Sequence, residues 1–239
     1  MKLRIKFSKH GPVKYIGHLD FMRYFQKCIR RAKVDIAYSK GFSPHQIMSF
    51  ALALGVGVET DGDYLDIEVN SMDSTQAVMD SLNETMADGV RVENVVALKD
   101  YTPNAMSSVS AAGYRLIPKE GVYASDVVKA CDMVLGKDEI IVAKENKKAK
   151  KKGKAVEGVN DIIYTDIKDH IYECSMTENE LYCLVDASSA GNVRPLLLLD
   201  AIYSEVGETL DPLDIQVIRT DTYTGVYGDD RGLVPLDMV

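Results

Sequence analysis

Three of the four histidines, His10, His18 and His45, fall within the first 45 residues, with 11 of the 28 lysines and arginines and only 2 of the 36 aspartates and glutamates. That segment is therefore about +9 in a chain of formal charge −8, which leaves about −17 on the remainder. A concentrated positive field attracts anions and nucleic acid, and an imidazole can move a proton near neutral pH. The chemistry to expect here is recognition of an anion, with proton transfer at His18 or His45 as an option. The histidines show neither HxH nor HxxxH spacing and no cysteine joins them, so no metal site and no cofactor are expected.

Two stretches carry this chemistry. In Gly17-His18-Leu19-Asp20-Phe21-Met22-Arg23, a helix begins at Gly17 or His18, and Asp20 falls in its first turn, where a carboxylate suits the dipole. Met22, Phe25, Ile29 and Ala32 form the apolar stripe, widened by Phe21 and Cys28, while Arg23, Lys27, Arg30 and Arg31 lie off it as a basic ridge of about two turns. A solvated helix face would read the same, but such a face usually mixes its signs. The second stretch is Tyr38-Ser39-Lys40-Gly41-Phe42-Ser43-Pro44-His45, in which Gly41 permits a positive φ and Pro44 holds Ser43 extended. Such a bend can present backbone N–H groups, the Ser39 hydroxyl and Lys40 to a phosphate or carboxylate, or it can be an ordinary turn. It is no Walker motif and lacks GxGxxG spacing. The candidate substrate-binding residues are His18, Asp20, Arg23, Lys27, Arg30, Arg31, Ser39, Lys40, Gly41, Phe42 and His45.

The elements that must position them follow from hydrophobic period. Residues 2–7 alternate as a strand, 18–33 have helical spacing, and 46–52 and 63–69 alternate again around Gly55, Gly57 and Gly62. A helix opening at Asp73 or Ser74 points Val78, Met79, Leu82 and Met86 inward, and Gly89 stands where a C-terminal cap would be. Residues 90–98 close the series as a strand, giving the order βαββαβ. Residues 99–112 read as a linker. Beyond it come a strand at 113–117, a helix at 124–135, a strand at 139–143 and hairpins over 161–186. A helix opened by Asn192-Val193-Arg194-Pro195 and a strand at 215–219 follow. The expected fold is α+β, with two tandem ferredoxin-like (βαββαβ) units over 1–98 and 113–221, the second with an inserted hairpin, and a tail over 222–239.

Residues 144–154 hold seven lysines and one glutamate, which reads as a solvated hairpin loop or an electrostatic arm for an anionic polymer. Cys28, Cys131, Cys174 and Cys183 lack CxxC spacing, which argues against zinc ribbons, iron–sulfur ligation and a disulfide framework, and they read as small buried hydrophobes. The start has no apolar core of a signal peptide, and the longest weakly polar stretch, 47–58, is too short to span a bilayer. A cytoplasmic protein with no membrane partner is expected.

Read together, His18-Leu19-Asp20, Arg30-Arg31-Ala32, Tyr38-Ser39, Gly41-Phe42, Pro44-His45, Ser49-Phe50, Gly55 and Tyr64-Leu65-Asp66-Ile67-Glu68 form one pattern. It resembles that of the radical-SAM-linked domain family, a family catalogued as a domain of unknown function. Asn192-Val193-Arg194-Pro195 and Ile218-Arg219-Thr220 resemble its carboxy-terminal signatures. Gly17, Cys28-Ile29 and Gln46 depart from its pattern, and Gly17 removes a capping hydroxyl. The resemblance implies a companion of a radical SAM protein that carries its own iron–sulfur cluster, since this chain lacks cluster cysteines. The expected function is an accessory protein that binds RNA or a phosphorylated molecule through the basic helix. The alternatives are a metal-independent endoribonuclease using His18 or His45, and a structural adaptor docked on the radical SAM partner.

Overall fold

The structure is a computed structural model that describes residues 1–119, 121–145, 162–230 and 232–239. The chain divides into two compact units, the first formed by residues 1–116 and 216–239 and the second by residues 117–215. Strands dominate, mostly antiparallel, with five α-helices among the described residues, so the fold is mixed α+β.

In the first unit the chain runs β1 (Lys2–Lys9), α1 (His18–Arg31), β2 (Met48–Phe50), β3 (Val58–Glu68), α2 (Thr75–Asn83), β4 (Val90–Leu98), α3 (Ala105–Ser108) and β5 (Ala111–Pro118). β1 lies between β4 and β3, antiparallel to both, with Ile5 opposite Leu65 and Val95. β2 pairs with the end of β3, Phe50 opposite Leu65. The beginning of β3 pairs instead with a strand from far down the chain, β10 (Ile215–Gly225), in parallel, with Arg219 opposite Thr60. β5 flanks β10, whose end is paired by β11 (Leu233–Pro235).

Alternation explains the core. Leu3, Ile5 and Phe7 of β1 and Leu65 and Ile67 of β3 are buried against α1 and α2. From α1 come Phe21, Phe25, Cys28 and Ile29; Met22, expected in the stripe, is only half-buried. Four of the five phenylalanines, Phe7, Phe21, Phe25 and Phe50, pack with centroids 5.1 to 6.1 Å apart. α2 is capped by Ser74, whose Oγ accepts from the Ala77 N–H at 3.0 Å, and it buries Val78 and Leu82. It ends at Asn83, short of the expected Gly89, because the Asn83 amide turns to exchange two hydrogen bonds with the Val92 backbone. Gly89 adopts φ +87° so that its carbonyl can accept from the His10 N–H at 2.7 Å.

The opposite face of this sheet is polar and closed. Arg4, fully buried, donates to both oxygens of Asp66 and to the Pro103 and Leu236 carbonyls. Lys6 reaches Asp221 at 2.6 Å, and the buried Tyr64 hydroxyl donates to Asp221 and Asp237. The linker expected at 99–112 is therefore partly ordered, since the Ala105 N–H donates to Asp66 and Asn104 caps α3. Likewise the tail expected at 222–239 is structured: β10 runs to Gly225, β11 pairs with it, and Leu236 is fully buried.

The second unit contains α4 (Ser125–Leu135), β6 (Ile141–Glu145), β7 (Ile162–Asp166), β8 (Ile171–Met176), β9 (Leu181–Asp186) and α5 (Pro195–Glu205). β6 and β7 form a two-stranded ribbon and β8 and β9 a hairpin. Val127, Ala130, Cys131 and Val134 of α4 and Leu198, Leu199 and Ile202 of α5 are buried, and the Tyr123 and Tyr203 rings meet edge-on at 6.5 Å. Pro195 occupies the first turn of α5, as its missing N–H favours. The side chains of the lysine-rich stretch 144–154 lie outside the described residues. Among the described residues no helix is long and apolar enough to cross a membrane.

Candidate functional site

α1 begins at His18 with Gly17 as a cap that has no side chain to offer. Its outward side carries Arg23, Lys27 and Arg30, all exposed. Arg23 pairs at 2.9 Å with Asp20 one turn back, where both groups stay in water and the pair is weak. Lys27 and Arg30 have no carboxylate partner among the described residues. Arg31 is different: it turns toward α2 and donates to the Thr85 carbonyl at 3.0 Å, which makes it a tether of the helix end. The ridge therefore consists of Arg23, Lys27 and Arg30.

The 38–45 stretch folds as a closed loop beside this ridge. Tyr38 bridges Gln46, the Ser39 N–H donates to the His45 carbonyl at 2.8 Å, and the His45 N–H donates to Ser39 Oγ at 3.1 Å. The same hydroxyl meets His45 Nδ1 at 2.8 Å, so the imidazole is oriented by Ser39 while remaining exposed. Gly41 takes φ +120° at the tip, as its position predicts. The loop is joined to α1 through buried Gln46, whose amide donates to the Gln26 carbonyl at 3.3 Å. Gln26 lies on the α1 flank next to Arg23 and Arg30. Lys40 and Phe42 stand out from this loop, and Phe42 is fully exposed while the other four phenylalanines are buried.

His18 and His45 are not brought together. The His18 ring packs edge-on against Phe50 at 5.3 Å, at the start of α1. Gln46, next to His45, contacts α1 at Gln26, which a rise of 1.5 Å per residue places about 12 Å further along. Burial, reinforced by the nearby Lys9 charge, pushes the His18 imidazole below its ordinary range and so favours its neutral form. His10 lies elsewhere, between Asp61 at 3.2 Å and Glu59 at 3.6 Å.

Under the first turn of α1 sits a buried charged cluster that the pattern analysis missed. Lys9 is fully buried, lies over the Phe21 ring at 4.7 Å and donates to the Ile16 carbonyl at 3.0 Å. Desolvation lowers its ammonium, against the pull of Asp63. Asp63, 1% exposed, accepts from Arg219 at 2.8 Å through one oxygen. Burial pushes this carboxyl up, opposed by the guanidinium. Arg219 also donates to the Tyr114 hydroxyl and the Ala53 carbonyl, so it clamps the 51–57 loop to the sheet. The signal was available: Lys9 follows Leu3, Ile5 and Phe7 in phase, Asp63 precedes Leu65 and Ile67, and Arg219 follows Ile215 and Val217. A charge at an inward position is the informative exception to apolar alternation.

Comparison with curated proteins returned no match. Among solved structures, the chain is similar to a crystal structure of a Cbf5–Nop10–Gar1 complex at 10% identity and a TM-score of 0.45, covering 92% of this chain and 48% of that one. It is also similar to a crystal structure of a heavy metal efflux pump at 8% identity and a TM-score of 0.24, covering 92% of this chain and 28% of that one. In both cases the chain spans less than half the length of the structure it matches. A family profile described as an uncharacterized protein conserved in bacteria matches residues 2–195, which take in α1, the 38–45 loop and Asp63, and the chain therefore belongs to the DUF2344 family.

Proposed function

We propose that the first unit binds single-stranded RNA, with phosphates on Arg23, Lys27 and Arg30 and a base stacked on Phe42. The observation that carries this reading is Phe42, fully exposed beside Lys40 on a loop that hydrogen bonds hold against the basic side of α1. Cations that track a backbone, with an aromatic ring beside them, are the parts from which sequence-tolerant single-strand binding is built. The polar sheet face is filled by Arg4, Tyr64, α3 and the residues around Leu236, which leaves the α1 side as the open one for this ligand. The resemblance to radical-SAM-linked domains supports a companion role, in which the RNA is presented to a radical SAM enzyme.

The element order supports a finer reading of the fold. β1, α1, β2, β3, α2 and β4, with β1 between β4 and β3 and β2 beyond β3, fit a ferredoxin-like unit. The order β5, α4, β8, β9, α5, β10, with the β6–β7 ribbon as an insert, fits a second.

Binding of the purified chain to short single-stranded RNA across a salt series tests the function. Tight binding that falls with salt, and collapses in the variant Arg23→Ala/Lys27→Ala/Arg30→Ala, is expected. Equal binding by wild type and the triple variant overturns it. A second reading, docking of α1 on a partner enzyme, is favoured by Tyr15, Leu19 and Val56, which are all exposed around the helix start. Under that reading Arg30→Glu weakens the protein complex and leaves RNA affinity unchanged.

A further inference from the structure

Within the second unit, Cys131 on α4 and Cys174 on β8 bring their sulfurs to 4.0 Å. Cys183 stands directly across from Cys174 in the β8–β9 register, so three of the four cysteines meet in one place. All are free thiols. A disulfide places its sulfurs about 2.05 Å apart, so closing the Cys131–Cys174 gap requires the sulfurs to approach by about 2 Å. Cys131 is buried and Cys174 half-buried, so the oxidant's route to the pair runs past Cys174.

We propose that Cys131 and Cys174 form an oxidative modification site, a dithiol that hydrogen peroxide closes to a disulfide joining α4 to β8. The Cys131 thiolate, accepting the hydrogen bond of the Cys174 S–H, attacks one peroxide oxygen and the O–O bond breaks. The departing hydroxide takes up a proton from solvent, equal to the one Cys131 released on ionising, and leaves as water. Cys131 is then a sulfenic acid. The Cys174 sulfur attacks it, and the displaced hydroxide takes the Cys174 proton and leaves as a second water. Two thiols lose two electrons and one peroxide gains them. The hydrogen bond from Cys174 lowers the Cys131 thiol, which supports its place as the attacking group. Burial raises the Cys183 thiol to about 12, and the bond to Cys131 with burial raises Cys174 as well, so neither competes with Cys131 as the first attacking thiolate.

The test treats the full-length chain with graded hydrogen peroxide, quenches with iodoacetamide under denaturing conditions, and reads intact mass and a peptide map. Closure leaves two alkylatable thiols of the original four, so the quenched chain carries two carbamidomethyl groups in place of four, with the Cys131 and Cys174 peptides linked and dithiothreitol reversing the change. Cys183→Ser keeps the link and Cys131→Ser abolishes it, with circular dichroism reporting that each variant is folded. The wild-type peptide map decides alone where a variant is unfolded. Four thiols remaining, a Cys174–Cys183 link, or sulfinic Cys131 without a cross-link overturns the proposal.

Discussion

Asp63 and Arg219 form a buried ion pair in the first unit. Removing one leaves the other charge unpaired in a medium that solvates it poorly. Arg219→Met should cost about 3 to 5 kcal/mol in urea unfolding, and the double change Asp63→Leu/Arg219→Met should restore much of that loss. Glu59 acts through titration. Burial alone would raise its carboxyl, but hydrogen bonds from Lys14, Gln216 and the Gly11 N–H, with the Lys14 charge, hold it below the ordinary carboxylate range. Its contribution is full above the unfolded-state value and is lost as pH falls through the folded one. His18, depressed by burial and Lys9, adds a loss as pH drops below the ordinary histidine range, because the unfolded chain takes the proton first. Thermal unfolding from pH 7 to pH 4 should therefore show a fall in Tm that is smaller in Glu59→Gln than in wild type. At this scale the sequence was partly legible. The ridge arginines stand where periodicity places them, whereas Lys9, Asp63 and Arg219 find one another only through strand register.

At the scale of elements, α1 was legible to within two residues because its capping turn, apolar stripe and charge all agree. β2 was not, since only Met48 to Phe50 ladder against β3 while Gln46 turns to bind Gln26. β3 begins five residues earlier than its alternation shows. Gly62 interrupts the pattern there because a side chain would meet Asp221 and Lys6. The four packed phenylalanines and the exposed fifth make opposite predictions. Phe50→Ala should cost about 3 to 5 kcal/mol of stability, read by denaturant unfolding. Phe42→Ala should leave stability within about 0.5 kcal/mol and weaken single-stranded RNA binding by about 1 to 3 kcal/mol, read by fluorescence anisotropy.

The chain as a whole is acidic and the ridge on α1 is positive, so the proposed RNA binding should be strongly salt-dependent. Loss of Arg23, Lys27 and Arg30 should lower the slope of log K against log salt by about 2 for a single strand, measured over a titration series. The division into units was the least legible feature, because β10 is close in sequence to the second unit yet pairs with β3. Parallel pairing between Arg219 and Thr60, so far apart in the chain, leaves no local pattern to read. A fragment of residues 1–116 lacks both β10 and Arg219, and its amides should exchange with deuterium far faster than those of the same strands in the full chain. On a ribosome the same arrangement becomes a matter of timing. At roughly 5 to 20 residues per second, Asp63 leaves the exit tunnel about 8 to 30 seconds before its partner, and through that interval the nascent sheet has an open edge for chaperones to guard.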